Sequence, residues 1–240
     1  MIKAIYDVLY PRRCPICGEI VSPRGELVCP PCKLKLNPVE EPRCKKCSKP
    51  IISEEKEYCH DCETKNHHYV KGYALWVYDA SMKKSISDFK YHGRREYSDF
   101  YIDEIIKRYG KEIESIAPDV LIPIPVHKSK QIMRGYNQAD ILARGIGSKL
   151  NITVLSHLLQ RDKKTLPQKL LNDKERLKNL EKAFTYSEKE GDLFAVPIHK
   201  VMLIDDIYTT GSTIEACTNI LTKNGIDEVY FLSVCIGKGF

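Results

Sequence analysis

Eight of the ten cysteines lie within the first 62 residues of this 240-residue chain, and they keep a strict register. They form four Cys-x-x-Cys pairs: Cys14/Cys17, Cys29/Cys32, Cys44/Cys47 and Cys59/Cys62. Each set of four reads Cys-x2-Cys-x11-Cys-x2-Cys, and the second set repeats the first at an offset of 30 residues, an internal duplication. Two thiolates separated by two residues grip one tetrahedral ion from a tight knuckle, and two knuckles complete a four-cysteine site. Gly18, directly after Cys17, suits the positive φ that such a turn needs. A disulfide framework is the competing reading, but it requires an oxidising compartment, for which nothing in the chain argues. Two structural Zn²⁺ ions are therefore expected. One zinc per set of four is the default, although spacing alone also admits interleaved pairing or the loss of one metal. So short a segment lacks the core to fold unaided, and the metal would staple it. Cys217 and Cys235 fall in a helix-like and a strand-like segment and read as small buried hydrophobes.

Composition excludes some classes. No apolar run approaches the ~20 residues of a membrane span. The stretch Met1 to Tyr10 is too short and too interrupted for a signal peptide, so a cytoplasmic address without membrane insertion is expected. A net charge of +6 does not by itself imply nucleic acid. Residues 1–70 hold twelve Lys/Arg against ten Asp/Glu. Eight thiolates and two Zn²⁺ would bring that segment to about −2, which does not suit a DNA clamp. Residues 160–182 are more basic, with Arg161, Lys163, Lys164, Lys169, Lys174, Arg176, Lys178 and Lys182 outnumbering four acids. The ordinary reading of such a run is a solvated helix face.

Beyond Cys62, Glu63 to His68 reads as a linker in which His67 and His68 are solvated, since four thiolates per site already suffice. Strand-like and helical segments then alternate. Strands are expected at Tyr73–Tyr78, Val120–Val126, Ile152–Leu155, Lys200–Ile204 and Glu228–Cys235. Helices are expected at Met82–Tyr91, Ser98–Tyr109, Gln138–Leu150, Lys174–Lys182 and Ile214–Lys223. This alternation implies an α/β fold, a parallel sheet flanked by helices on both faces, at 69–240 behind a ribbon domain at 1–68. Ligands of such sheets sit beyond the carboxyl ends of the strands.

One such end is unusually informative. Val201–Ile204 is an apolar run that stops at two adjacent carboxylates, Asp205 and Asp206. The turn Thr209-Thr210-Gly211-Ser212-Thr213 follows and opens a helix. Hydroxyls and free backbone N–H groups at a helix N-terminus make a phosphate cradle. Two acids beside phosphate need another role, such as accepting from ribose hydroxyls or approaching a Mg²⁺ carried by the ligand. A polar loop joining a strand to a helix is the plain alternative. The pattern resembles the 5-phosphoribosyl-1-pyrophosphate (PRPP) loop of type I phosphoribosyltransferases. That resemblance implies that Asp205 and Asp206 hold ribose as the catalytic pair and that Thr209, Thr210, Gly211, Ser212 and Thr213 hold the 5′-phosphate.

After Val120–Val126 comes a segment read as a loop, with Lys128, Lys130 and Arg134 placed to meet the pyrophosphate of PRPP. An exposed basic loop is the alternative. Arg161, Lys163, Lys164, Gln168 and Arg176 lie where type I enzymes carry a flexible lid. Trp76, Phe89, Tyr91 and Tyr136 read as core or rim aromatics rather than base-stacking platforms, and Asn137 as a helix cap.

The order of motifs narrows the resemblance. Pro11-Arg12-Arg13-Cys14-Pro15-Ile16-Cys17-Gly18 opens it, and the paired knuckles follow. Lys90-Tyr91-His92-Gly93-Arg94, Pro123-Ile124-Pro125 and Arg134-Gly135-Tyr136-Asn137-Gln138-Ala139 come next. Glu175-Arg176-Leu177-Lys178-Asn179-Leu180 with Ala183-Phe184 then precedes the PRPP-like loop. Together they resemble the ComF family, associated with natural competence and related DNA handling. One departure is Ser48 after the third knuckle, where Gly is more usual. The resemblance implies PRPP with Mg²⁺ as ligand and three roles of different class. These are phosphoribosyl transfer to an acceptor, handling of single-stranded DNA, and docking of the ribbons on a helicase-like competence protein.

Overall fold

The computed structural model describes residues 11–161, 173–188 and 197–238, with backbone alone at 173–176. Met1–Tyr10 and the lid candidates Lys163, Lys164 and Gln168 lie outside the described residues.

Five strands form one parallel sheet: β1 (Lys71–Val77), β2 (Val120–Pro123), β3 (Thr153–Val154), β6 (Lys200–Tyr208) and β7 (Glu228–Ile236). Their spatial order is β1-β7-β6-β2-β3. A separate antiparallel pair joins β4 (Leu159–Arg161) to β5 (Phe184–Tyr186). The helices are α1 (Pro30–Lys33), α2 (His60–Thr64), α3 (Ala80–Tyr91), α4 (Tyr97–Ile116), α5 (Lys128–Arg134), α6 (Gln138–Leu150), α7 (Asp173–Glu181) and α8 (Ser212–Lys223).

Local chemistry sets several of these boundaries. Asp79 caps α3 by accepting from the Met82 N–H at 3.0 Å, and Asn137 caps α6 by accepting from Ala139 at 3.1 Å. Helix α4 runs past its expected end at Tyr109 to Ile116 because the inward stripe continues through buried Ile113. Strand β6 also outruns expectation. It continues through the two acids to Tyr208 because β7 keeps pairing, with Asp205 opposite Ser233 and Tyr208 opposite Ile236.

Because side chains alternate across a strand, the sheet divides the core in two. Leu121, Met202, Ile204 and Leu232 face α3, α4 and α6, whose Phe89, Phe100 and Leu142 complete one cluster. Val120, Ile122, Val201, Leu203 and Phe231 face α8, β4 and β5. The cysteine repeats are divided as well. Cys14, Ile16, Val21 and Cys32 join the first cluster, and Cys44, Cys47, Ile51 and Cys59 join the second. The connecting segment crosses the sheet edge along β1, where Val39 N–H donates to Leu75 O and Val77 N–H to Asn37 O, both at 2.9 Å.

Candidate functional site

Each tetrad is drawn from one repeat, Cys14/Cys17/Cys29/Cys32 and Cys44/Cys47/Cys59/Cys62, so the pairing is sequential. Within each set the ligand atoms lie within 4.8 Å of one another, and Cys47 Sγ sits 3.6 Å from Cys59 Sγ. A tetrahedral ion with Zn–S near ~2.3 Å requires sulfurs about 3.8 Å apart, and all-thiolate donors suit Zn²⁺. The residues therefore fit two structural zincs. The knuckles share one hydrogen-bond plan: Gly18 N–H donates to Cys14 O and Ser48 N–H to Cys44 O, both at 2.9 Å. Gly18 has φ +83 and Ser48 φ +68. Serine tolerates the left-handed turn here with its hydroxyl donating to Gly72 O at 2.7 Å, which ties the second knuckle to β1.

The predicted acids lie near the end of β6, the hydroxyl loop follows that strand directly, and the basic segment follows β2. Thr209 is exposed and Thr210, Ser212 and Thr213 partly so, with Thr210 Oγ1 3.1 Å from Ser212 Oγ. Gly211 caps α8 at φ +81, and a Cβ there would stand 2.5 Å from the Tyr208 hydroxyl and 2.9 Å from the His67 ring. Glycine is thus required by both backbone and space. The first turn of α8 leaves backbone N–H groups without intrahelical acceptors, as an oxyanion site needs.

The two acids have different neighbours. Asp206 is buried and bonds Lys90 Nζ at 2.7 Å. Burial opposes the Lys90 charge, but the Asp206 carboxylate outweighs it and holds the ammonium above its usual range. Asp205 accepts from the Asp206 N–H at 2.8 Å. Burial, then the adjacent Asp206 charge, pushes its carboxyl up to about 8.

The segment expected to meet pyrophosphate is a helix, α5, rather than the expected loop. His127 Nδ1 caps it by accepting from Ser129 N–H at 3.1 Å, and Gly135 ends it at φ +76. Lys128 is exposed in its first turn. Burial, then the charges of Arg161 and Arg134, lowers the Lys130 ammonium below its usual range. Arg134 is braced by Gln138 Oε1 and Tyr91 Oη, each at 2.8 Å, with its guanidinium 4.8 Å over the Tyr91 ring. Arg161 ends β4 with its guanidinium 5.3 Å over Phe184 and feels the Asp205 charge. Arg176 lies on α7, where the backbone alone is described.

Two readings from sequence need correction. His67 is buried rather than solvated, stacked on Tyr69 at 5.0 Å with its Nδ1 3.4 Å from Glu215. His68 joins it through backbone and ring, the ring half exposed, and both crowd the buried Glu215 in the first turn of α8. Burial opposes that carboxylate, but the adjacent His67 ring and the bonds from His68 hold it below its usual range. The supposed linker also begins inside α2. Lys90 was not anticipated from sequence as the ion-pair partner of Asp206. Its only sequence signal was its place in the Lys90–Arg94 motif, which a helix end explains equally well. Trp76, Phe89 and Tyr136 are core aromatics as expected, and Tyr91 lies on the rim at 53% exposure.

Among the described residues, no helix is long and apolar enough to cross a membrane. Residues 5–63 match the family model of the double zinc ribbon domain. Competence protein F of Haemophilus influenzae is 29% identical over 181 residues, 72% of this chain and 76% of that protein. Competence protein ComFC of Bacillus subtilis is 26% identical over 63% of this chain and 58% of its own length. DNA utilization protein YhgH of Escherichia coli K12 is 28% identical over 49% of each chain, so the match spans about half its length. A purine phosphoribosyltransferase structure from Pyrococcus horikoshii aligns 57% of this chain with 83% of that one, at 18% identity and a TM-score of 0.33. The fold assignment rests on the sheet itself and not on that likeness.

Proposed function

We propose that this chain, which is similar to competence protein F and ComFC and carries a double zinc ribbon ahead of a parallel α/β sheet, binds PRPP in a competence-related role. One observation carries the reading. The Asp205/Asp206 pair runs on through β6 into the Thr209–Thr213 loop and the α8 N-terminus, and it shares an electrostatic neighbourhood with the cations Lys90, Arg134 and Arg161, the last two of which also neighbour Lys130.

The loop would take the 5′-phosphate through backbone N–H groups and hydroxyls. The acids would accept from the ribose hydroxyls, with Lys90 holding the Asp206 side chain in place through its 2.7 Å ion pair. Like charges crowding Lys130 raise the cost of the empty cluster, and a pyrophosphate would relieve it. Arg134 offers a planar fork already oriented by Tyr91 and Gln138. Mg²⁺ arriving with PRPP would neutralise pyrophosphate charge beside these residues.

Calorimetric titration with PRPP and Mg²⁺ tests the site. Binding that weakens at least about tenfold in Asp205→Asn/Asp206→Asn is expected from the loss of charge-assisted bonds. No heat with the native chain, or unchanged affinity in the variant, would sink it. Transfer is tested separately by acceptor-dependent pyrophosphate release from labelled PRPP.

A DNA-handling reading draws support from Tyr91, half exposed and bracketed by Arg134, with Lys128 and Lys130 on the same helix as that arginine. Such a ring beside cations suits stacking on a single strand. Single-strand affinity that falls steeply with salt and is reduced by Tyr91→Ala is expected; a flat salt response excludes phosphate-driven binding.

A further inference from the structure

We infer that the second zinc site is the underpinning of the phosphate loop, acting through a hydroxyl relay from Cys62 to Tyr69 to Tyr208. The Tyr69 hydroxyl lies 3.7 Å from Cys62 Sγ and 2.8 Å from the Tyr208 hydroxyl. The Tyr208 oxygen in turn lies 2.5 Å from the point where a Cβ on Gly211 would be, directly against the turn that caps α8. Both tyrosines are fully buried. Phe231 clamps them, edge-on to Tyr69 at 5.0 Å and stacked on Tyr208 at 4.6 Å.

The metal gives this relay a direction. A zinc-bound thiolate carries no proton, so in the bond it shares with Tyr69 it only accepts. Tyr69 then donates to sulfur and accepts from Tyr208, and the Tyr208 oxygen presents only lone pairs to the loop. Both rotors are fixed by one ion, in the way that outer partners and metal ligands orient each other. Without metal, a Cys62 thiol could donate instead, and the order would be lost. The first tetrad is placed differently. Its repeat reaches α4 through Arg12 to Asp99 at 2.5 Å and Lys33 to Glu104 at 2.7 Å, on the opposite face of the sheet. Tyr69 and Tyr208 are positioning residues in this scheme and touch no ligand.

Hydrogen exchange of residues 208–214 in the zinc-loaded full chain tests the relay, with zinc content measured alongside. Tyr69→Phe and Tyr208→Phe remove one hydroxyl each with little change of shape. Tyr109→Phe is the matched control, since it removes an equally buried hydroxyl that bonds Ala74 O at 2.7 Å away from the loop. Cys62→His keeps a zinc ligand but removes the thiolate acceptor.

Two zincs are expected in every variant. Loop exchange should quicken about fivefold to tenfold in Tyr69→Phe, Tyr208→Phe and Cys62→His, the scale of one buried hydrogen bond, and not in Tyr109→Phe. Affinity for PRPP with Mg²⁺ should fall by a similar factor, an arm that rests on the function proposed above. Unchanged loop exchange in both Tyr→Phe variants overturns the relay, whether or not zinc is retained. Equal quickening in Tyr109→Phe also overturns it. If the native chain takes no PRPP, the ligand reading fails while the exchange result still decides the relay.

Discussion

The two cysteine repeats share spacing, knuckle hydrogen bonds and a left-handed residue after the second cysteine, yet the sheet lies between them. The first packs beside α4, with Cys17 exposed and polar bridges at its rim. The second is packed against β1 and, through Tyr69 and Tyr208, close to the turn at Gly211, with Cys44, Cys47 and Cys59 buried and Ser48 bonded to Gly72 O. A duplicated local motif therefore specifies a metal knuckle and nothing about its surroundings. Neighbours decide whether the knuckle sits at the rim or is fused to the sheet.

The largest test of that difference removes one ligand from each repeat. Cys47→Ser should cost about 4 kcal/mol or more and release one zinc, because it empties a buried site fused to the sheet. Cys17→Ser should release one zinc with a visibly smaller loss; equal losses in chemical denaturation would erase the distinction. Next comes the junction of the second repeat. A Cβ on Gly72 would stand 2.0 Å from the Phe231 ring, so Gly72→Ala should cost about 1–3 kcal/mol through overpacking.

Titration separates the two sides again. Folded Asp205 holds a proton that the unfolded chain, with an ordinary pKa of 3.8, has already released. Its contribution to stability therefore falls as pH rises from about 4 to about 8 and is level above that. Asp205→Asn should flatten this slope and raise Tm at pH 8 by about 3 °C or more. An unchanged slope on thermal scans from pH 5 to pH 8 would contradict the burial assigned to it.

Ser48→Ala strips a buried hydrogen bond and should cost about 1 kcal/mol by urea titration. Arg12→Ala at the first repeat breaks a rim contact and should cost less than about 1 kcal/mol. A larger loss at Arg12 than at Ser48 would reverse the ranking of the two repeats.

Much of the fold was legible because periodicity is a local property. Helix α6 matches its expected bounds, Gln138–Leu150, since Asn137 caps it and its apolar spacing closes at the left-handed Asn151. The zinc ligands were legible because two-residue spacing is itself the geometry of a knuckle. Misreadings came where a partner distant in sequence supplied the decisive contact. Strand β6 extends through its acids only because β7 is there to pair with it. Segment 128–134 is polar enough to read as a loop, but its cap at His127 and the brace from Tyr91 make it a helix.

Sequence alone determined the eight candidate thiolate ligands, the parallel α/β class and the strand–acid–hydroxyl-turn–helix order of the loop, because each is written in residues near one another along the chain. Tertiary structure alone decided that the tetrads take opposite faces, that Lys90 reaches Asp206, and that His67 lies under Gly211. Those contacts join residues far apart along the chain, and burial with packing, rather than local preference, brings them together.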